Sequence, residues 1–160
     1  MYGLTAWQRA GRIGPVALDA ELRRRREEVV LRHIERENAH DTEGVIATFA
    51  EPSYDLPAFE HLKPEGQQVT HPDEASVRSF LDGLLEQMPD LEVVVDRMHH
   101  ADDAVIVEGR SLGTDPATGR RTSLRCAVFY RFDGDRKINE TVYFDSATIP
   151  RQLGLETLPL

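Results

Sequence analysis

The sequence predicts an α+β fold in which three helices are followed by a sheet of four long strands. Apolar residues recur at helical spacing in the first half of the chain, and from Leu91 onward they recur at every second position. Turn-forming stretches such as "DPATGR" and "DGDR" separate the segments of period two. Because these connections are short, we expect a mostly antiparallel sheet, curved and covered by the helices on one face.

Two of the three predicted helices begin near a residue that can cap a helix. The first spans residues 22–40, and "HDTEG" then supplies Asp41 or Thr42 as a cap for a short second helix over residues 43–50. Asp73 caps the third helix, "DEASVRSFLDGLLEQM". The segment between the second and third helices holds four prolines, which predicts short extended pieces and loops.

Side chains alternate between two faces along a strand, so residues two positions apart share a face. The predicted strands are "LEVVVDRMHH", "AVIVEGRSLGT", "RTSLRCAVFYRF" and "KINETVYFD". In the last two strands, two sets of residues each share a face: Cys126, Val128 and Tyr130, and Glu140, Val142 and Phe144. Glu108 interrupts the second strand, and alternation leaves open whether it faces the interior or the solvent.

Length and charge indicate a single acidic domain. The chain has 160 residues, and 19 basic against 28 acidic side chains give a net charge of −9. That charge repels phosphate backbones, so we expect no binding to nucleic acid. Residues 1–20 are predicted to form an N-terminal extension and residues 21–160 the domain, because the first 18 residues contain three glycines and one proline and show no period.

Other features exclude several classes of protein. No apolar run approaches the roughly 20 residues of a membrane span, and the N-terminus lacks the apolar block of a signal peptide, which predicts a cytoplasmic protein. The single cysteine, Cys126, excludes an internal disulfide and a Cys-rich zinc site. Arg23 to Arg26 are followed directly by Glu27 and Glu28, so this run is predicted to be a solvated helix face.

Four stretches carry a resemblance to a known family. They are "RENAHDTEGVIATFAEPSY", "MPDLEV", "EGRSLGT" and above all "YFDSATIPRQLGL", and the resemblance covers about residues 27–155. The chain resembles the NTF2-like superfamily, and within it the SnoaL-like polyketide cyclase and ester cyclase group. This resemblance implies a cone in which the helices and the concave face of the sheet enclose an apolar pocket. It also implies that the face bearing Val128 and Glu140 is the inward one.

The acid–base residues of the related enzymes are missing from this sequence. SnoaL-type cyclases use a His and an Asp on the last two strands, at places that resemble Val128 and Val142. Ketosteroid isomerases, which share the fold, carry an acidic hydrogen-bond donor at the place matching Val128 and a general base at the place resembling Leu56. Valine and leucine cannot transfer protons, so neither mechanism carries over intact.

Other polar residues are expected at the same pocket. His33 aligns with the place of a tyrosine in the ketosteroid isomerases, and Glu37 lies one turn further along the same helix. Tyr54 is two positions from Leu56, so their side chains are predicted to share one face of the strand. We predict Glu140, His33 and Tyr54 as catalytic residues, with burial raising the pKa of Glu140 and with His33 titrating near neutrality. The predicted ligand pocket comprises Glu37, Leu56, Glu108, Cys126, Val128, Tyr130, Val142 and Phe144.

Each polar candidate also has a structural interpretation. His33 could be a hydrogen-bonded residue of the core, and Glu140 could be exposed or paired with Arg125 or Arg97 across strands. Glu37 could extend to water. The sequence leaves these alternatives open.

The sequence predicts no metal site and no cofactor. Adjacent His99 and His100 in "MHHADD" would point to opposite faces of a strand, so both cannot bind one ion without a bulge. No glycine-rich phosphate loop and no Ser-His-Asp order is present.

Two functions are compatible with these observations. The first is a cofactor-independent acid–base enzyme that isomerises, cyclises, dehydrates or hydrolyses a small apolar carbonyl compound such as a polyketide, lactone or terpenoid. In it, Glu140 and His33 would shuttle a proton. The second is a non-catalytic module that binds a small apolar ligand or dimerises. In both cases an uncovered sheet face predicts a homodimer.

Overall fold

The computed structural model describes residues 19–57, 69–116, 118–145, Thr148 and Gln152. The predicted N-terminal extension lies almost wholly outside this part of the chain, so the domain boundary stays a prediction. The elements, in chain order, are α1 (Ala20–Asn38), α2 (Thr42–Ile46), β1 (Tyr54–Asp55), β2 (Thr70–His71), α3 (Glu74–Gln87), β3 (Glu92–His100), β4 (Ala104–Thr114), β5 (Arg121–Asp133) and β6 (Arg136–Phe144).

The six strands form one sheet in the order β2-β1-β6-β5-β4-β3. All neighbouring strands are antiparallel except β1 and β6, which are parallel. The four long strands follow one another in sequence, as short connections require, and the short strands β1 and β2 extend the sheet beyond β6. The predicted α+β fold, with helices packed on a curved and mostly antiparallel sheet, is confirmed.

Aspartate side chains cap the three helices. Asp19 accepts from the backbone N–H of Glu21, and Asp41 accepts from that of Gly44. Asp73 forms a capping box with Ser76, because each side chain bonds the backbone N–H of the other residue. The second helix is shorter than predicted. It ends at Ile46 because the chain then turns to pair with β6, where the N–H of Ala50 donates to the carbonyl of Lys137 over 2.7 Å.

Arg26 is buried, so the predicted solvated face for Arg23–Arg26 is wrong at this residue. Its Nε donates to the carbonyl of Gly134 over 2.7 Å, and its Nη1 donates to the carbonyl of Asp102 over 2.9 Å. The guanidinium also lies 5.3 Å from the ring centre of Phe132. Arg26 thus ties α1 to the turns that join β3 to β4 and β5 to β6.

A bulge in β6 changes which residues face the interior. Tyr130 pairs with Glu140 and Arg131 with Asn139, but Phe132 pairs with Lys137, so one extra residue lies on β6. Without the bulge, Lys137 and Glu140 would point to opposite faces, because they are three positions apart. With it, both side chains are buried on the inner face.

None of the described helices is long and apolar enough to cross a membrane.

Candidate functional site

A cavity of about 420 Å³ lies among α1, α3 and the inner face of the sheet. Its walls are mostly apolar. Nine of the residues predicted from the sequence line it: Glu37, Tyr54, Leu56, Cys126, Val128, Tyr130, Glu140, Val142 and Phe144. Six of them alternate along β5 and β6, and the other three come from α1 and from β1 with the residues after it. Their contact with a ligand stays a prediction.

Glu108 is not at the cavity, so its inclusion in the predicted pocket is wrong. It pairs with Ala127, whose side chain lies on the opposite face of β5 from those of Cys126 and Val128. Glu108 is exposed on this outer face. There its Oε1 lies 2.7 Å from Nε2 of His99.

His33 lies behind the cavity wall rather than on it. The imidazole is buried, and its Nε2 lies 2.9 Å from Oε2 of Glu140. The rings of Phe49 and Tyr130 each pack against it with centroids 5.5 Å away. His33 therefore contacts two residues that line the cavity, Glu140 and Tyr130, but does not line it itself. Its predicted catalytic role stays a prediction.

Lys137 completes a buried cluster with His33 and Glu140. Its Nζ donates to Oε2 of Glu140 over 2.9 Å and lies 2.7 Å from Nδ1 of His33. The ammonium also lies 3.7 Å from the ring centre of Phe49 and 4.7 Å from that of Tyr130. A cation is thus held within hydrogen-bonding distance of Glu140 in the core.

The partners of His33 assign one tautomer. With its proton on Nε2, the ring donates to Glu140, and Nδ1 accepts. Nδ1 lies 2.7 Å from Lys137 Nζ, which can donate to it. Thr48 Oγ1 lies at the same distance from Nδ1 but donates its one proton to the carbonyl of Val45 over 2.7 Å. Burial and then the charge of Lys137 lower the pKa of His33, which favours the neutral ring. The cluster then consists of a lysine cation, a neutral imidazole and a glutamate anion.

Glu140 is the stronger acid of the two carboxyls at the cavity, and the predicted rise of its pKa is wrong. Burial by itself would raise the pKa of Glu140, but Lys137 and His33 outweigh burial and lower it to about 2. Both partners bind the same oxygen, Oε2. The carboxylate is consequently ionised at neutral pH, with Oε1 engaged by neither of these residues.

The pKa of Glu37 is shifted in the opposite direction to that of Glu140. It is 6% exposed on the last turns of α1, so it does not extend to water. Burial, followed by the negative charge of Glu140, raises the pKa of Glu37 to about 8, although Lys137 partly opposes this. Two carboxyls at one cavity therefore hold different protonation states near neutral pH.

The other polar groups of the cavity remain protonated. Burial and then the charge of Glu140 raise the pKa values of Tyr54 and Tyr130 well above their ordinary range, and Tyr54 also hydrogen-bonds Glu140. Burial raises the pKa of the Cys126 thiol to about 11, which suits a wall residue rather than a nucleophile. Both tyrosine hydroxyls can donate hydrogen bonds.

Lys137 is the member of this site that the sequence analysis missed. Strict alternation assigns it to the face opposite Glu140, and only the bulge in β6 brings the two together. Nothing local in the sequence of β6 indicates where a bulge will form.

Among the described residues, no group of His, Cys, Asp and Glu side chains is arranged to hold a metal ion. His99 and His100 have separate partners, since His100 Nε2 lies 2.7 Å from Oε1 of Glu27 on α1 and His99 bonds Glu108 on the outer face.

The helices, the curved sheet and the cavity between them define a protein of the NTF2-like fold class. The chain belongs to the SnoaL-like domain family, whose match covers residues 30–141. No curated protein sequence matches the chain.

Solved structures of low sequence identity share the fold. A hypothetical protein with a ketosteroid isomerase-like fold from Catenulispora acidiphila, in complex with trimethylamine, has a TM-score of 0.69 at 16% identity, covering 82% of this chain and 98% of its own. A putative isomerase from Bacillus subtilis has a TM-score of 0.68 at 15% identity, and the match covers 86% of this chain and 99% of the isomerase. A phenazine biosynthesis-related protein from Pseudomonas aeruginosa has a TM-score of 0.66 at 16% identity, and the match covers 88% of this chain and 92% of that protein.

Proposed function

We propose that the protein is a cofactor-independent acid–base enzyme that acts on a small apolar carbonyl compound, such as a polyketide, lactone or terpenoid. The observation that carries this proposal is the pair of carboxyls, Glu37 and Glu140, at one apolar cavity with opposite displacements of their pKa values. The reaction type would be isomerisation, cyclisation, dehydration or hydrolysis. The names of two structural neighbours, a putative isomerase and a biosynthesis-related protein, agree with this class of chemistry.

The geometry favours Glu37 as the group that exchanges a proton with the substrate. A pKa of about 8 leaves both of its protonation states populated near neutrality, which general acid–base catalysis requires. Glu140 has a pKa of about 2 and is therefore a weak base. We propose that it is a fixed anion that orients Tyr54 and raises the pKa of Glu37. This revises the sequence-based hypothesis in which Glu140 and His33 shuttle the proton.

In the proposed mechanism, ionised Glu37 removes a proton from the carbon next to the substrate carbonyl. Negative charge then develops on the carbonyl oxygen, and the hydroxyl group of Tyr130 can donate a hydrogen bond to it. The neutral Glu37 returns the proton to the same or another carbon. Lys137 and His33 hold Glu140 in place and do not touch the substrate.

The test is the exchange of α-hydrogens for deuterium, followed by proton NMR in D₂O with two probes, 2-tetralone and α-angelica lactone. The wild-type protein is expected to accelerate exchange over buffer. Because ionised Glu37 is the base, the rate should rise about tenfold per pH unit below its pKa and level off above about 8.

Glu37→Gln is expected to slow this exchange by about 10²- to 10⁴-fold, because glutamine cannot accept the proton. Glu35→Gln is the matched control, since Glu35 is an exposed glutamate of the same helix, and it should keep the wild-type rate. Exchange of neither probe above the buffer rate, or full activity in Glu37→Gln, would contradict the proposal.

A second candidate function is a non-catalytic pocket that binds a small apolar ligand. The observation that favours it is the presence of Leu56, Val128 and Val142 at the cavity, where related enzymes carry acid–base residues. Binding of 2-tetralone without α-hydrogen exchange would support this alternative.

We also propose that two copies pair through the outer face of the sheet. On this face, the Tyr143 ring is 48% exposed and packs edge-on against Phe129 with centroids 5.6 Å apart. Light scattering of the purified protein measures the mass directly, and a monomer at micromolar concentration would contradict the pairing. The cytoplasmic location remains a prediction from the sequence.

A further inference from the structure

The Glu37 carboxyl lines the cavity, and no described residue makes a hydrogen bond to it. More than nine-tenths of the residue is buried. An ionised carboxylate in such a place is unfavourable unless a cation or hydrogen-bond donor compensates it. The ionised Glu37 carboxylate therefore lacks such a partner among the described residues, and a ligand in the cavity could supply it.

The charges around Glu37 show which kind of ligand this would be. The titratable groups that face it, taken from every element of the site, are His33 on α1, Tyr54 on β1, Cys126 and Tyr130 on β5, and Lys137 and Glu140 on β6. Lys137 is paired with Glu140 at 2.9 Å, and burial lowers the pKa of this lysine to about 8. The remaining groups are neutral near pH 7 apart from Glu140 itself. Ionised Glu37 is thus the excess negative charge of the described site.

The walls also suit a cation. Four aromatic residues line the same cavity: Tyr54, Phe80, Tyr130 and Phe144. The rings of Tyr54 and Phe80 lie with centroids 5.1 Å apart. Aromatic faces attract organic cations, most strongly where water is excluded. The net charge of −9 on the chain further favours the entry of a cation over an anion.

We propose that the ionised Glu37 carboxylate binds a small apolar organic cation, such as an aryl trimethylammonium or a protonated apolar amine, within the aromatic walls of the cavity. This goes beyond the proposed function, which concerns neutral carbonyl compounds. The protonation state of Glu37 would select the ligand: the neutral acid tolerates an uncharged apolar ligand, and the carboxylate favours a cation.

The test compares two ligands of nearly equal shape, phenyltrimethylammonium and the uncharged tert-butylbenzene, by ligand-observed NMR titration between pH 6 and pH 9. Cation binding requires Glu37 to lose a proton, so the affinity for phenyltrimethylammonium should rise about tenfold per pH unit below the pKa of Glu37 and level off above about 8. The affinity for tert-butylbenzene should not rise over this range.

Glu37→Gln should weaken phenyltrimethylammonium binding at pH 9 by at least about tenfold and leave only the weaker pH dependence that the titration of Lys137 causes. Binding of tert-butylbenzene should persist and so report an intact cavity. Glu35→Gln should behave as the wild type. A flat pH profile in the wild type, unchanged cation binding in Glu37→Gln, or no cation binding at pH 9 would overturn the inference. These outcomes are separate from α-hydrogen exchange, which tests the proposed function by itself.

Discussion

Replacing Lys137 with methionine is expected to lower the free energy of unfolding at pH 7 by about 3 to 5 kcal/mol. The lysine is 1% exposed, and its ammonium is 2.9 Å from Oε2 of Glu140. Methionine keeps much of the side-chain volume, so the principal loss is the positive charge. Glu140 is then left buried without its strongest counter-charge. Urea denaturation of both proteins measures the difference.

The loss in Lys137→Met is expected to grow between pH 4 and pH 7. In the wild type, the pKa of Glu140 lies at about 2, below its ordinary value of 4.5, so its contribution to stability is fully present above pH 4.5 and is lost as the pH falls toward 2. Without Lys137, burial becomes the dominant influence and moves the pKa of Glu140 upward. Its contribution is then present at low pH and is lost as the pH rises.

A double variant separates charge from packing. Lys137→Met combined with Glu140→Gln removes both charges, so it should recover at least about 2 kcal/mol relative to Lys137→Met alone at pH 7. If the loss in Lys137→Met is equal at pH 4 and pH 7 and the double variant recovers nothing, then Lys137 acts only by filling space.

Replacing Arg26 with methionine is expected to lower the free energy of unfolding by about 2 to 4 kcal/mol. The variant loses two hydrogen bonds from a charged donor, to the carbonyls of Gly134 and Asp102. Methionine can still pack against Phe132, but it cannot bond either turn. The ends of both hairpins should therefore loosen from α1, and hydrogen exchange at these turns should become faster.

Arg25→Met is the matched control for Arg26→Met. Arg25 is the neighbouring arginine on the same helix, but it is half exposed, and its Nη1 forms an ion pair with Asp135 at 3.3 Å on the surface. Exposed ion pairs contribute at most about 1 kcal/mol, so this change should have little effect. Equal losses in the two variants would show that the buried hydrogen bonds of Arg26 are not the cause.

The arrangement at the cavity explains how a member of this family can lack the familiar acid–base residues and still hold a group suited to proton transfer. Val128 and Val142 make the wall apolar, and an apolar wall is what raises the pKa of Glu37. The Lys137 cation keeps Glu140 ionised, and the negative charge of Glu140 raises the pKa of Glu37 further. The two carboxyls thus depend on each other for their different states.

Local sequence patterns were enough to predict the elements of the fold and about half of the residues that line the cavity. Helix caps such as Asp73 and the change from helical to period-two spacing depend on neighbouring residues, so they can be read locally. Strand alternation grouped Val128 with Tyr130 and Glu140 with Val142 on one face of each strand. The family resemblance implied that this face is the inward one, and all four residues line the cavity.

The charges of the site and the burial of the polar residues around it depend on contacts between distant parts of the chain. Lys137 contacts His33, 104 positions away, because a bulge in β6 turns the lysine side chain to the inner face of the sheet. Arg26 is buried because it bonds turns that lie 76 and 108 positions away in the sequence. The outward position of Glu108 followed from its pairing with Ala127. Burial and charge–charge distances set a pKa, and these are properties of residues brought together from distant parts of the chain, which no local pattern records.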